Sequence, residues 1–98
     1  MTGRQVKADE AFRLGLVNDI VPADQLMAKG LEVARLIVTK APVAVRVSKQ
    51  AIQRGLDMDL INGCALETSL FALAFSSADR KEGMTAFLEK RAAKFEGK

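Results

Sequence analysis

The sequence predicts a mainly α protein, a small helical domain of about four to five helices with one short extended segment near residues 16–21. Three observations lead there. Apolar residues recur at helical spacing from Leu26 to Val38, the stretch from Cys64 to Phe75 is almost wholly apolar, and Gly15, Pro22, Ala41-Pro42 and Gly55 cut the chain into helix-sized pieces.

Ala8 to Leu14 reads as a short helix closed by Gly15, the residue best suited to a left-handed helix end. Leu16-Val17-Asn18-Asp19-Ile20-Val21 reads as the extended segment, ended by Pro22; with no partner strand in the sequence it cannot build a sheet alone. Ala23 to about Thr39 is an amphipathic helix, with Leu26, Met27, Gly30, Leu31, Ala34, Ile37 and Val38 on one side and Lys29, Glu32 and Arg35 elsewhere. Ala41-Pro42 breaks it and starts a helix from Val43 to Arg54. The alternation Val43/Val45/Val47 also suits a strand, but Arg46, Lys49, Gln50 and Gln53 form one polar face opposite Ala44, Val47 and Ala51, which selects helix.

Asp57 or Asp59 caps the next helix, which runs to about Ser76. Past Cys64 that helix is apolar on most sides, so it must be surrounded by its own domain or by another subunit. Ser77 or Asp79 caps a last helix reaching about Lys90. Gly83 inside it costs about 1 kcal/mol relative to alanine, which points to a close approach of backbone there. Residues 91–98 form an extended or frayed tail. The division is thus one domain over 1–98, with a joining segment at 1–22, a helical part at 23–90 and the tail at 91–98.

Composition removes several kinds of chemistry. The chain has no histidine, so no Ser-His or Cys-His nucleophile pair and no imidazole base. A single cysteine, Cys64, excludes an internal disulfide and a structural zinc set, and its apolar neighbourhood predicts a buried, inert thiol. Glycine-rich phosphate loops are absent. Glu67, the one charge between Cys64 and Phe75, is expected to be a structural carboxylate paired with Arg or Lys from a neighbouring helix or subunit rather than an acid–base catalyst. No metal site is expected. Neither an apolar leader nor a membrane span is visible, and with the reducing environment one cysteine suits, this predicts a cytoplasmic protein that binds neither membrane nor nucleic acid.

The formal charge of +3 is unevenly placed. Residues 1–79 carry nine basic and nine acidic side chains, whereas residues 80–98 carry six basic and three acidic ones. In that segment Phe87, Lys90 and Arg91 stand at i, i+3 and i+4, which would place them on one helical stripe. An aromatic face beside fixed cations suits the base and the phosphate of a nucleotide. The competing reading is that Met84, Phe87 and Leu88 are core and the cations a solvated face.

The wording of the segment bears on that choice. Glu82-Gly83-Met84-Thr85-Ala86-Phe87-Leu88-Glu89-Lys90-Arg91 resembles the C-terminal signature of the enoyl-CoA hydratase (crotonase) family, in its short-chain hydratase form. Thr2-Gly3-Arg4, Ala8-Asp9-Glu10-Ala11, Leu14-Gly15-Leu16-Val17-Asn18 and Val21-Pro22 resemble another run of that family. Ala41-Pro42, Lys49 and Glu67 follow in the family's order. One departure is Ala92-Ala93, where many relatives carry a proline.

The resemblance implies the C-terminal portion of such a protein, a lid and trimerisation region of crotonase type. The family hydrates trans-2-enoyl-CoA thioesters, with acyl-CoA as substrate and no separate cofactor. Its oxyanion hole and two catalytic glutamates lie upstream of the Thr2-Gly3-Arg4 motif, so no catalytic residue is expected here and the chain alone should be inactive. By position in the motif, Phe87 and Lys90 correspond to the family's contacts to the adenine-nucleotide end of CoA, and Arg91 is a further candidate. Self-association and weak binding of CoA thioesters are the expected interactions. The alternative from another class is a non-catalytic helical self-association module.

Overall fold

The computed structural model describes residues 3–98. Thr2, the first residue of the Thr2-Gly3-Arg4 motif, lies outside the described residues. Five α-helices follow in order: α1 (Ala8–Arg13), α2 (Leu26–Val38), α3 (Pro42–Gly55), α4 (Leu60–Ser76) and α5 (Ala78–Leu88), with a 3₁₀ turn at Ala23–Gln25 leading into α2. The chain divides into two compact units, Met1–Val33 and Ala34–Lys98.

In the first unit, the Arg4 guanidinium donates to both oxygens of Glu10 at 2.8 and 2.7 Å, tying the lead-in to α1. That helix ends as its glycine requires. Gly15 takes φ +73°, and the amides of Gly15 and Leu16 turn back onto the carbonyls of Phe12 and Ala11 at 3.0 and 2.9 Å. Residues 16–22 are irregular, and no β-ladder forms among the described residues. Lys29 lies 3.5 Å from both Asp19 and Glu32.

The second unit is built on α3 against α4. Pro42 opens α3 at a position where a missing N–H costs nothing. Val43 and Val47 then face Leu70, with Ala51, Leu66 and Ala74 half-buried around them. Asp59 opens α4 by accepting the Asn62 amide at 3.0 Å, and that bond holds its carboxyl below the usual range. Ser77 separates α4 from α5 across a bend of 71° and accepts the Arg80 amide at 3.3 Å as the N-cap of α5.

Only one stripe of α4 is packed, the one carrying Leu66, Leu70 and Ala74. Leu60, Ile61 and Phe71 stand 82%, 81% and 66% exposed, so this unit does not itself surround the apolar helix. The same geometry corrects one expectation: Cys64 is exposed rather than buried, because α4 has neighbours on one stripe only. Glu67 is exposed at the edge of the cleft between α3 and α4, beside Ala51, Ile52 and Leu70, and has no ion pair within this chain among the described residues. No single helix is long and apolar enough to cross a membrane among the described residues; α4 and α5 meet that test only together, across their bend.

Candidate functional site

The polar geometry of the second unit concentrates where α5 meets the residues that follow it. Asp79, Glu82 and Gly83 stand at i, i+3 and i+4 of α5 and therefore share one face. The chain beyond Arg91 returns along that face. Glu82 Oε1 accepts the Lys94 amide at 2.7 Å, while the two oxygens of Asp79 accept the amides of Glu96 and Gly97 at 2.7 and 2.9 Å. In return, the Asp79 amide, left without a helical partner in the first turn, donates to the Lys98 carbonyl at 3.3 Å. Asp79 is 3% exposed, and both of its oxygens are satisfied by these bonds.

The Phe95 ring lies over Gly83, next to Glu82 on the helix, where a Cβ would meet the ring edge at 3.4 Å. The glycine thus marks a close approach, as its place in the sequence suggested, but of a side chain rather than of backbone. The tail is non-helical along its length and fastened at several points, so of the two readings, extended or frayed, the frayed one is corrected.

Arg91 holds the near end of the tail. Its guanidinium donates to Glu82 Oε1 at 2.6 Å and Oε2 at 2.9 Å, to Glu89 at 2.6 Å and to the Ala92 carbonyl at 3.2 Å. Those bonds, with the Lys94 amide, hold the Glu82 carboxyl down to about 2, and they raise Arg91 above its ordinary value.

The helical stripe expected of Phe87, Lys90 and Arg91 does not exist, because α5 stops at Leu88. Lys90 takes φ +53°, the left-handed conformation, and is the only non-glycine residue with positive φ among the described residues. Its amide donates to the Phe87 carbonyl at 3.2 Å, and the Arg91 amide donates to the Ala86 carbonyl at 3.0 Å. This is the double bond pattern that closes many helices, with lysine in the place usually held by glycine. Phe87 is 82% exposed and Lys90 is exposed with no ion pair among the described residues. The structure therefore leaves an open aromatic ring and, three residues on, an ammonium without an ion pair among the described residues at the helix end, whereas Arg91 is committed to carboxylates.

Two features escaped the sequence reading. In the sequence Asp79 reads as a candidate cap of the last helix and Glu82 only as part of the signature, and the spacing Asp79-x-x-Glu82-Gly83 followed by an aromatic at 95 is the one hint that they serve the tail. The second is a basic trough of about 430 Å³ between the end of α2 and α3, floored by Ile37, Val38 and Val45 and edged by Lys40, Arg46 and Lys49. From Arg35 to Arg54 the sequence has five cations and no acid, a local excess hidden when charges are summed over residues 1–79. No aromatic ring lines that trough, so it lacks the stacking surface that Phe87 offers.

Comparison with known proteins places this arrangement. The family model for enoyl-CoA hydratase/isomerase matches residues 1–98. The short-chain-enoyl-CoA hydratase of Clostridium acetobutylicum is 50% identical over 96 residues, which are 98% of this chain and 36% of that protein. The crotonyl-CoA hydratase of Syntrophomonas wolfei is 45% identical over 94 residues, 96% of this chain and 36% of that protein. Among solved structures, an enoyl-CoA hydratase from Bacillus anthracis superposes with a TM-score of 0.94 at 39% identity, covering 99% of this chain and 38% of its own. The chain spans little more than a third of the length of these relatives, and it belongs to the enoyl-CoA hydratase/isomerase family.

Proposed function

We propose that the chain is the C-terminal, acyl-CoA-binding and oligomerisation portion of an enoyl-CoA hydratase, a protein that hydrates trans-2-enoyl-CoA through residues outside these 98. The observation that carries the reading is the end of α5, where an exposed Phe87 and an exposed Lys90 flank a helix terminus that strong internal bonds hold in place. Phe87 stacks on the adenine of CoA and Lys90 meets a phosphate; Arg91 serves indirectly, by holding the turn. The names of the relatives, hydratases acting on enoyl-CoA and crotonyl-CoA, support the same substrate class.

The test uses an enzyme of family length that carries this chain. Phe87→Ala and Lys90→Ala should each weaken CoA thioester binding by about 1–2 kcal/mol, as expected for partly exposed stacking and charge-assisted contacts. The loss should appear in KM, because these groups touch a part of the substrate that changes little during reaction. Salt should diminish the effect of Lys90→Ala but not that of Phe87→Ala. Unchanged KM in both variants would leave the pair as surface residues without a ligand. The second reading, a self-association module without a ligand of its own, draws on the exposed apolar sides of α4 and is tested by mass in solution.

A further inference from the structure

The sequence after Leu88 reads Glu89-Lys90-Arg91-Ala92-Ala93-Lys94. Every one of these residues is a good helix former, and no glycine or proline intervenes before Gly97. Local preference alone would carry α5 at least one more turn. The helix nevertheless stops at Leu88, and it stops by placing a lysine at φ +53°, a conformation that costs a side-chain-bearing residue free energy. Something outside the local sequence overrides propensity here, and among the described residues the side chains of α5 that bond to the tail are those of Asp79 and Glu82.

We propose that Asp79 and Glu82 are positioning residues that terminate α5, holding Lys90 in its left-handed turn so that Phe87 and Lys90 meet the phosphorylated nucleotide end of CoA together. This rests on the assignment of Phe87 and Lys90 as the nucleotide contacts. The two carboxylates act at successive levels of one helix face. Glu82 fixes Arg91 and Lys94, which starts the return of the chain, and Asp79 fixes Glu96 and Gly97, which completes it. Phe95, which follows Lys94 and precedes Glu96 in sequence and is seated over Gly83, keeps the returning chain on that face. Were the carboxylates unable to bind the tail amides, residues 89–94 would wind on as helix. Lys90 would then move to the third position after Phe87 on a regular helix, Arg91 would lose its place beside Glu82, and the present relation between ring and ammonium would be lost.

The proposal is tested on the 98-residue chain by NMR, with adenosine 3′,5′-bisphosphate as the probe. In the wild type, the ligand should shift the Phe87 and Lys90 signals together, and the Lys90 Cα shift should report a left-handed residue. In Asp79→Asn and in Glu82→Gln, the Lys90 Cα shift should become helical, helix content should rise, and affinity for the bisphosphate should fall about tenfold. Amide protection at Val47 and Leu70 shows whether the α3–α4 core is intact; if Asp79→Asn disturbs it, Glu82→Gln carries the test.

Rescue separates positioning from simple structural damage. Ala93→Pro, added to either variant, should stop the helix without the carboxylates, since proline clashes with the carbonyl four residues back and drives its predecessor out of helical conformation. Both the left-handed Lys90 signal and the affinity should return. A Lys90 that stays left-handed in both carboxylate variants, or a helical Lys90 with unchanged affinity, would overturn the proposal while leaving the nucleotide contacts in place. A wild type whose Phe87 and Lys90 signals ignore the ligand would overturn the contacts themselves, and the positioning role with them.

Discussion

The carboxylate of Glu82 receives both terminal nitrogens of Arg91, at 2.6 and 2.9 Å, across nine residues of sequence. A planar fork meeting a carboxylate along two parallel bonds is the strongest common form of ion pair, and it fixes direction as well as distance. Its consequence here is to spend the charge of Arg91 inside the fold. The three acids of residues 80–98 are all taken up by Arg91 and Lys98, so the basic excess of this segment rests on the remaining cations, among them Lys90 at the helix end, which has no ion pair among the described residues.

That pair should make the tail resistant to acid. The Glu82 carboxyl is lowered to about 2, first by the Arg91 guanidinium and then by the Lys94 amide. A carboxyl whose value falls on folding contributes stability above its unfolded value, and that contribution is lost only as pH falls through the folded value. The Lys94 amide should therefore stay protected through the ordinary carboxylate range and lose protection as pH approaches 2. Hydrogen exchange across an acid titration checks this; loss of protection near pH 4 to 5 would mean that the pair is open in solution.

The core is small enough that one side chain decides it. Leu70 is the α4 residue that closes on Val43 and Val47, and it is 8% exposed. Leu70→Ala should cost about 2–4 kcal/mol, a transfer loss plus a residual cavity. Urea denaturation followed by circular dichroism should show α3 and α4 melting at much lower denaturant than in the wild type. A change below about 0.5 kcal/mol would show that the two helices are held together by something other than this contact.

The unpacked sides of α4 predict association. Leu60, Ile61 and Phe71 expose apolar surface that the second unit leaves uncovered, and contiguous apolar surface of this kind drives protein–protein contact. Light scattering at micromolar concentration should give a mass above that of the 10.6 kDa monomer, and Ile61→Asp with Phe71→Asp should bring it down. A monomeric wild type would remove association as a role for this helix in the isolated chain.

Much of this fold was legible in the sequence, for reasons that can be located. Gly15 ended α1, Ala41-Pro42 separated α2 from α3, and Asp59 and Ser77 capped the helices they precede, because turn, cap and breaker chemistry is local. The family signature was legible too, as a string. What the string did not show was why its residues stand where they do. The end of α5 was misplaced by two residues because Glu89 to Lys94 favour helix, and the ties that stop it come from Asp79 and Glu82, well away in sequence. Cys64 was misjudged for the opposite reason: an apolar run suggests burial, but burial needs neighbours, and α4 has them on one stripe only.

Gly83 gives a test of the contact with Phe95. An alanine Cβ there would meet the ring edge at 3.4 Å, an ordinary contact, while removing a glycine from a helix interior. Gly83→Ala should therefore leave the tail in place and stabilise α5 by up to about 1 kcal/mol. Gly83→Leu puts further carbons where the ring lies, so Phe95 should leave its site and the Glu96 and Gly97 amides should lose protection. Exchange rates that are the same in both variants would show that the tail is held without the ring.

The last prediction turns on Lys90, whose left-handed conformation is one that glycine adopts without penalty. If the position served only to close α5, glycine would serve it better. Lys90→Gly should therefore keep the bonds from the Lys90 and Arg91 positions to Phe87 and Ala86, and raise the local stability of the helix end by roughly 0.5–1 kcal/mol. It also removes the exposed ammonium that follows Phe87 at the helix end. The same substitution should then weaken binding of CoA in an enzyme of family length carrying this chain, by about 1 kcal/mol at low salt and less as salt rises. Opposite movement of stability and affinity is the signature of a residue kept for its side chain at the expense of its backbone. Two measurements decide it, amide exchange at Lys90 and Arg91 and titration with CoA. A variant that gains stability and binds CoA as the wild type does would show that the lysine at this turn has no part in recognising the nucleotide.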